Sequence, residues 1–241
     1  MTDTGKKRER NEDCFFVSQG NVGIFEELLV LADGMGGHSY GEVASATAVE
    51  TVVSYLSSAP MDFPESLLEE AVATANLEVR KKSDLKHAAL MGTTLVIAGF
   101  INGYVYVANV GDSRLYHLNS IKGTITQVTR DHSFVEEMVR KGLMERGSEA
   151  YLRQKNIITR AVGTTEETYA DTFTIELKHG DLILLCSDGL SNMVEDVMIR
   201  NLALDNEFTL EQRVVSMIRT ANFNGGRDNI TVILADPEGR S

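Results

Sequence analysis

The sequence is short of basic residues, of proline, of cysteine and of long apolar runs, and each shortage closes off a class of function. Lysine and arginine total 23 against 35 aspartates and glutamates, a formal charge of −12. The basic surface that grips nucleic acid or an anionic membrane is therefore missing. There are only three prolines and no Gly/Ser- or Pro-rich stretch, so no segment reads as a linker. No period of roughly 20–50 residues repeats, which excludes a solenoid or propeller. The two cysteines lie inside apolar runs, Cys14 in Cys-Phe-Phe-Val and Cys186 at the end of Leu-Ile-Leu-Leu-Cys. They read as two buried thiols and not as a disulfide or a metal pair. No run approaches the ~20 apolar residues that cross a bilayer, and the N-terminus lacks a signal-peptide core. The expectation is one cytoplasmic domain over residues 1–241, binding neither nucleic acid nor membrane.

What is present is a conventional globular composition, 43% hydrophobic and 24% charged, so a substantial core is available. Strand-like runs are short and numerous, at 14–17, 28–32, 93–101, 104–110, 115–118, 172–177, 182–186 and 230–235. Asn102-Gly103 separates two of them as a hairpin turn would, and His179-Gly180-Asp181 separates two more. Helical periodicity runs through 41–58, 64–82, 194–204 and 210–221. Hairpin-linked strands with segregated helices point to an α+β fold in four α-β-β-α layers, two antiparallel sheets with helices on the outer faces.

Acidic residues gather where apolar runs end and loops begin. Glu12 and Asp13 precede one strand. Asp33-Gly34 follows another, and Asp112 lies in Gly-Asp-Ser-Arg between two more. Asp188-Gly189 comes directly after Leu-Ile-Leu-Leu-Cys, and Asp228 leads into the last strand. Any one Asp-Gly is an ordinary turn dipeptide. Five acidic sites at strand ends, with glycines that let backbone approach closely, suit oxygen-ligated Mg²⁺ or Mn²⁺. Only five histidines, none paired at metal spacing, and no Cys-x-x-Cys weigh against zinc.

These motifs occur in a fixed series. Gly-x-x-Arg-x-x-Asn-Glu-Asp stands at 5–13, Asp-Gly-Met-Gly-Gly-His at 33–38, Gly-Thr-Thr at 92–94 and Val-Gly-Asp-Ser-Arg at 110–114. Asp-His-Ser follows at 131–133, Asn-Ile-Ile-Thr-Arg-Ala-Val-Gly at 156–163, Ser-Asp-Gly at 187–189 and Asp-Asn-Ile-Thr at 228–231. The series resembles the type 2C metal-dependent Ser/Thr protein phosphatases in their compact bacterial form. The resemblance implies that Asp33 bridges two cations, with Glu12 and the Gly34 carbonyl on one and Asp188 and Asp228 on the other. Asp13 would meet metal-bound water, and Asp112 with Asp188 would hold a weaker third cation. Arg8 would grip the phosphate through its planar fork, and His38 would stand near the leaving oxygen. The segment 133–155 would form a mobile flap beside the site, although the same residues read equally as a helix and loop packed on the sheet. Members of the family carry several more residues before the Thr-Asp-x-Gly segment, so the first strand is expected to be short here.

Magnitudes favour metal over proton transfer. Phosphate monoesters are hydrolysed enzymatically with accelerations up to ~10²¹, on the order of 28 kcal/mol, and one general acid contributes about 3–5 kcal/mol. Two cations account for more, by generating hydroxide and neutralising the attacking and leaving oxygens. The sequence offers no rival nucleophile, since neither cysteine lies in a Cys-x₅-Arg setting. The reading is direct attack by a metal-bridging hydroxide on phosphoserine or phosphothreonine, with phosphorylated proteins, and the Ser/Thr kinase that makes them, as partners. A catalytically inactive phosphoprotein-binding relative and a hydrolase of small phosphate monoesters are the alternatives.

Overall fold

In the computed structural model, which describes residues 1–36, 40–86 and 91–239, eleven strands and seven helices follow the chain. They begin with β1 (Thr2–Asp3), β2 (Asp13–Val17), β3 (Glu27–Gly36), α1 (Tyr40–Ser58) and α2 (Pro64–Lys86). Next come β4 (Met91–Thr93), β5 (Leu95–Ile101), β6 (Tyr104–Val110), β7 (Arg114–Asn119) and β8 (Thr124–Gln127). After α3 (Phe134–Arg140) and α4 (Glu149–Gln154) come β9 (Asp171–Glu176), β10 (Asp181–Cys186) and α5 (Asp188–Ser191). The chain closes with α6 (Asp196–Ala203), α7 (Leu210–Phe223) and β11 (Ile230–Ala235). One sheet runs β2-β3-β5-β6-β9 with β4 paired to β3; the other runs β1-β11-β10-β7-β8, and every pairing is antiparallel.

The four layers follow from two-residue alternation on strands that are buried on both faces. On β3, Leu28, Val30 and Ala32 pack with α1 and α2, while Leu29 and Leu31 face the second sheet. On β5 the same division separates Leu95 and Ile97 from Val96, Ala98 and Phe100. On β10, Leu182, Leu184 and Cys186 meet α6 and α7, while Ile183 and Leu185 enter the space between the sheets. Three apolar clusters thus fill the three gaps of an α-β-β-α sandwich, as the sequence patterning indicated.

The hairpin expected at Asn102-Gly103 is present: both residues adopt positive φ, 51° and 77°, and Ile101 pairs with Tyr104. The hairpin expected at His179-Gly180-Asp181 is not. β9 pairs with β6 in the first sheet and β10 with β7 and β11 in the second, so the turn carries the chain between sheets. β10 is buried at every position and needs a central place, whereas β9 presents exposed Thr174 and Glu176 and sits at an edge. The Asp112 loop likewise joins β6 and β7 in different sheets and is not a hairpin turn. The run expected at 93–101 is broken at Thr94, whose N–H donates to the Asp33 carbonyl (2.9 Å) and whose hydroxyl accepts from the Asp33 N–H (2.9 Å). Both cysteines are free; Cys186 is buried, but Cys14 is only half-buried. No described helix is long and apolar enough to cross a membrane.

Residues 133–155 form α3 and α4, each opened by a serine whose side chain accepts from the third helical N–H, Ser133 from Glu136 and Ser148 from Tyr151. The base of the segment is clamped where Phe134 N–H donates to Ile157 O (2.8 Å) and Thr159 N–H to His132 O (2.8 Å). Glu136 ties the two helices together by accepting from Tyr151 Oη (2.7 Å) and from Arg146.

Candidate active site

The ends of β2, β3, β10 and β11 converge, and the acidic motifs converge with them. Asp13 on β2 stands directly opposite Asp33 on β3. Asp188 caps the exit of β10 as the first residue of α5, and Asp228 lies two residues before β11. Asp33, Asp188 and Asp228, together with Glu12, Gly34, Asp112 and Arg8, line a cavity of about 280 Å³, with Asn156 and Ile158 from the segment after α4 on one side. Asp13 does not line the cavity; it stands beside Asp33 and is held by Ser187 and Thr231. His38, assigned above to the leaving group, lies outside the described residues.

Neutral polar side chains fix this arrangement. Asp13 Oδ2 accepts from Ser187 Oγ (2.8 Å) and Thr231 Oγ1 (2.6 Å), stitching the first sheet to the second. Asn229, 3% exposed, holds the N-terminal segment: its Oδ1 accepts from Glu12 N–H (2.8 Å), and its Nδ2 donates to Thr4 O (3.0 Å) and Arg10 O (2.9 Å). The Glu12 carbonyl accepts from Gly34 N–H (3.1 Å) and Ser45 Oγ (2.6 Å). A Cβ at Gly34 would stand 2.1 Å from the Gly41 carbonyl oxygen, and one at Gly189 would stand 1.9 Å from that of Asn229. Both glycines are therefore required by close backbone approach. None of Asn229, Ser187, Thr231 and Asn192 stood out as a functional residue in the sequence, although the first three lie within its motifs.

The electrostatics are strained. Burial lifts the Asp33 carboxyl well above its ordinary range, and the charges of Asp13, Asp188, Asp112 and Asp228 add to the effect. Asp188 is lifted in the same way, first by burial and then by Asp112, Asp228 and Asp13. Asp13 and Asp112 are each pushed up to about 6, chiefly by burial. One oxygen of each of Asp13, Asp112 and Asp188 is buried without a hydrogen-bond partner. At the mouth, half-exposed Arg8 donates to Asp228 Oδ2 (2.7 Å) and lies 3.9 Å from Glu12 Oε2. Asn192 Nδ2 donates to Asp188 Oδ2 (2.9 Å).

Among the described residues no three His, Cys, Asp or Glu side chains close into a finished coordination shell; the carboxylates ring the cavity instead. The donor set nevertheless fits hard divalent cations. It is made of oxygen alone, it buries like charges that repel one another, and it leaves carboxylate oxygens unpartnered. A larger cavity of about 520 Å³, beside α3, does not share these properties. Its walls carry matched ion pairs, Arg114–Asp131, Arg160–Asp171 and Arg146–Glu136.

The chain matches the family described as Protein phosphatase 2C over residues 5–234. It is 36% identical to the serine/threonine phosphatase stp of Listeria monocytogenes serotype 4b, covering 98% of this chain and 93% of that protein. The solved structure of the serine/threonine phosphatase Stp1 from Staphylococcus aureus aligns with a TM-score of 0.89 at 36% identity, covering 99% of this chain and 94% of that one. The catalytic domain of the phosphatase PstP in complex with 2 manganese ions aligns with a TM-score of 0.83 at 33% identity, covering 98% and 95%.

Proposed function

The chain belongs to the protein phosphatase 2C family, and from that membership we propose that it is a metal-dependent protein phosphatase hydrolysing phosphoserine and phosphothreonine. The observation that carries the reading is the ring of buried, mutually repelling carboxylates around a cavity with an arginine at its mouth. When bound, two divalent cations supply hydroxide near neutral pH and neutralise the phosphoryl oxygens. Asp33, whose carboxyl is raised by burial and by four neighbouring aspartates, is assigned to both ions. Glu12 and the Gly34 carbonyl would hold one, Asp188 and Asp228 the other, and Asp13 would order a metal-bound water. Asp112 with Asp188 is assigned a weaker third cation, and Mn²⁺ and Mg²⁺ are equally suited to the oxygen donors.

The chain's own residues then position the ester. Arg8 faces the cavity beside Asp228 and Glu12, where its fork can donate to two phosphoryl oxygens and hold the ester in line for attack. His38 is assigned the proton that the serine or threonine oxygen needs on leaving. Residues 1–241 act as one catalytic domain, with 133–155 as a flap that screens phosphoprotein substrates, among them the kinase that phosphorylates them. Free Cys14 and Cys186 suit a reducing, cytoplasmic setting.

The test is phosphate release from a phosphothreonine peptide with Mn²⁺, Mg²⁺ and chelator in parallel, with a sugar phosphate as competitor. Turnover that needs metal and resists the competitor is expected. Turnover indifferent to chelator, or a preference for the sugar phosphate, would remove the assignment.

A further inference from the structure

Beside the catalytic cavity lies a second, smaller recess of about 60 Å³, which shares Asn156, Asp188 and Asp228 with it. Its outer walls are Lys155, at the C-terminal end of α4, and Arg227, directly before Asp228. In a chain with 35 acidic and 23 basic residues, two cations facing one recess at the rim of an acidic site need a reason.

Charge balance within the site does not supply that reason. Asp228 Oδ2 already accepts from Arg8, and Asp188 Oδ2 accepts from Asn192. Lys155 Nζ donates to a neutral acceptor, Asn192 Oδ1 (2.8 Å), which holds the ammonium at the recess without neutralising it. Arg227 is exposed, its side chain lies over Gly225 near Met193, and it makes no hydrogen bond or ion pair among the described residues. Burial lowers the Lys155 ammonium, and Arg227 adds to that against the pull of Asp188. Asp188 and Asp228 also line the recess but are assigned to cations, so the like charges of Lys155 and Arg227 are relieved by an anion between them.

Resting on the phosphatase reading, we propose that this recess is a substrate subsite for an anionic group, a carboxylate or a second phosphate, close in sequence to the phosphoresidue being hydrolysed. Such a group enters the recess while the scissile phosphate occupies the adjoining cavity. Lys155 supplies a point charge already oriented by Asn192, and Arg227 supplies a free donor fork. The subsite favours phosphoprotein segments rich in acidic or multiply phosphorylated residues.

The test compares kcat/KM for phosphothreonine peptides that differ only in flanking residues: neutral, glutamate-containing, bearing a second phosphothreonine, and lysine-containing. The wild-type chain should favour an anionic flank over the neutral peptide by about 5-fold, as expected for partly exposed charge pairs, mainly through KM, and less at higher ionic strength. In Arg227→Gln and Lys155→Gln that ratio should fall toward unity. Because the readout is a ratio within each variant, a general loss of activity or stability cancels. The arm that shows the preference identifies the anion as carboxylate or phosphate. A wild-type ratio near unity in both anionic arms, or a preference that survives both substitutions, overturns the subsite. Absent turnover of every peptide would instead strike the phosphatase reading.

Discussion

Asn229→Ala should unmake the active site from a position that touches neither metal nor substrate. The amide is 3% exposed and satisfies three backbone groups from the N-terminal segment: the N–H of Glu12 and the carbonyls of Thr4 and Arg10. Alanine leaves all three without their partner. A buried polar group that loses its hydrogen bond costs about 1–3 kcal/mol, and water entering the gap recovers part of that, so a net loss of about 3 kcal/mol is expected. A domain of this size holds roughly 5–15 kcal/mol in total, so the variant still folds. At about 2–4 °C per kcal/mol, its melting temperature should drop by about 6–12 °C. The functional cost exceeds the stability cost, because the released segment carries Arg8 and Glu12. A displacement near 1 Å in a positioning group can cost about 10²-fold in rate. Asn229→Asp keeps the shape but loses both donors and sets a charge beside Asp228, so it should be no milder. Scanning calorimetry and peptide kcat/KM measure the two effects. A variant melting within about 2 °C of wild type, the range of an ordinary surface substitution, and retaining wild-type turnover would refute this account.

Asp33→Asn should abolish turnover and weaken both metal sites while stabilising the cation-free chain, since a carboxylate crowded by four others becomes neutral; titration calorimetry showing two normal sites would remove Asp33 from the centre. Asp112→Ala should keep the tight pair but lower activity and flatten its dependence on millimolar metal, and an unchanged metal titration would leave the third site unsupported. Asp13 and Asp112, lifted by burial to about 6 from 3.8, bind more protons folded than unfolded. They therefore favour the cation-free fold below pH 3.8 and withdraw that support as pH rises toward about 6. Saturating cation, which requires deprotonated ligands, should reverse that slope, as urea unfolding across the window would show. His38→Gln should slow phosphothreonine-peptide turnover by about 10²-fold and spare much of the activity on an activated aryl phosphate; equal losses would move the proton source elsewhere.

What the sequence made legible divides along physical lines. Strands buried on both faces announce themselves by apolar density, and β3, β5 and β10 were found that way; β6 showed instead by the alternation of Tyr104, Val105, Tyr106 and Val107. Sheet membership was not legible, because a Gly-containing turn is compatible with a hairpin and with a crossover. The turn before β10 illustrates this: the same His-Gly-Asp signal serves a change of sheet, and the partner of Asp181 is Asn119, far back in the chain. β8, four residues of Thr-Ile-Thr-Gln with alternating half-burial, is too short for periodicity to stand out. Every described acidic residue of the site was visible, since carboxylates at apolar strand ends are unusual enough to notice. The residues that hold them were not. Asn229, Ser187, Thr231 and Asn192 act through hydrogen bonds to segments distant in sequence, and a neutral polar side chain gives no local sign of that task.

That division reflects how the site is built. Carboxylates gathered for cations repel one another and cannot bind the sheets together, so cohesion has to come from groups without charge. Asp13 shows the arrangement on a single side chain. One oxygen takes two hydroxyl hydrogen bonds, from Ser187 and Thr231, across the gap between the sheets, and the other is buried without a partner. Asp188 repeats it, with one oxygen held by Asn192 and the other unpartnered. In both, a neutral donor sets the carboxylate's rotation and leaves its second oxygen uncommitted. A charged donor there would orient the group equally well, but it would also neutralise it and compete with a cation. Serine, threonine and asparagine at these positions orient the carboxylates while leaving their charge for the metal.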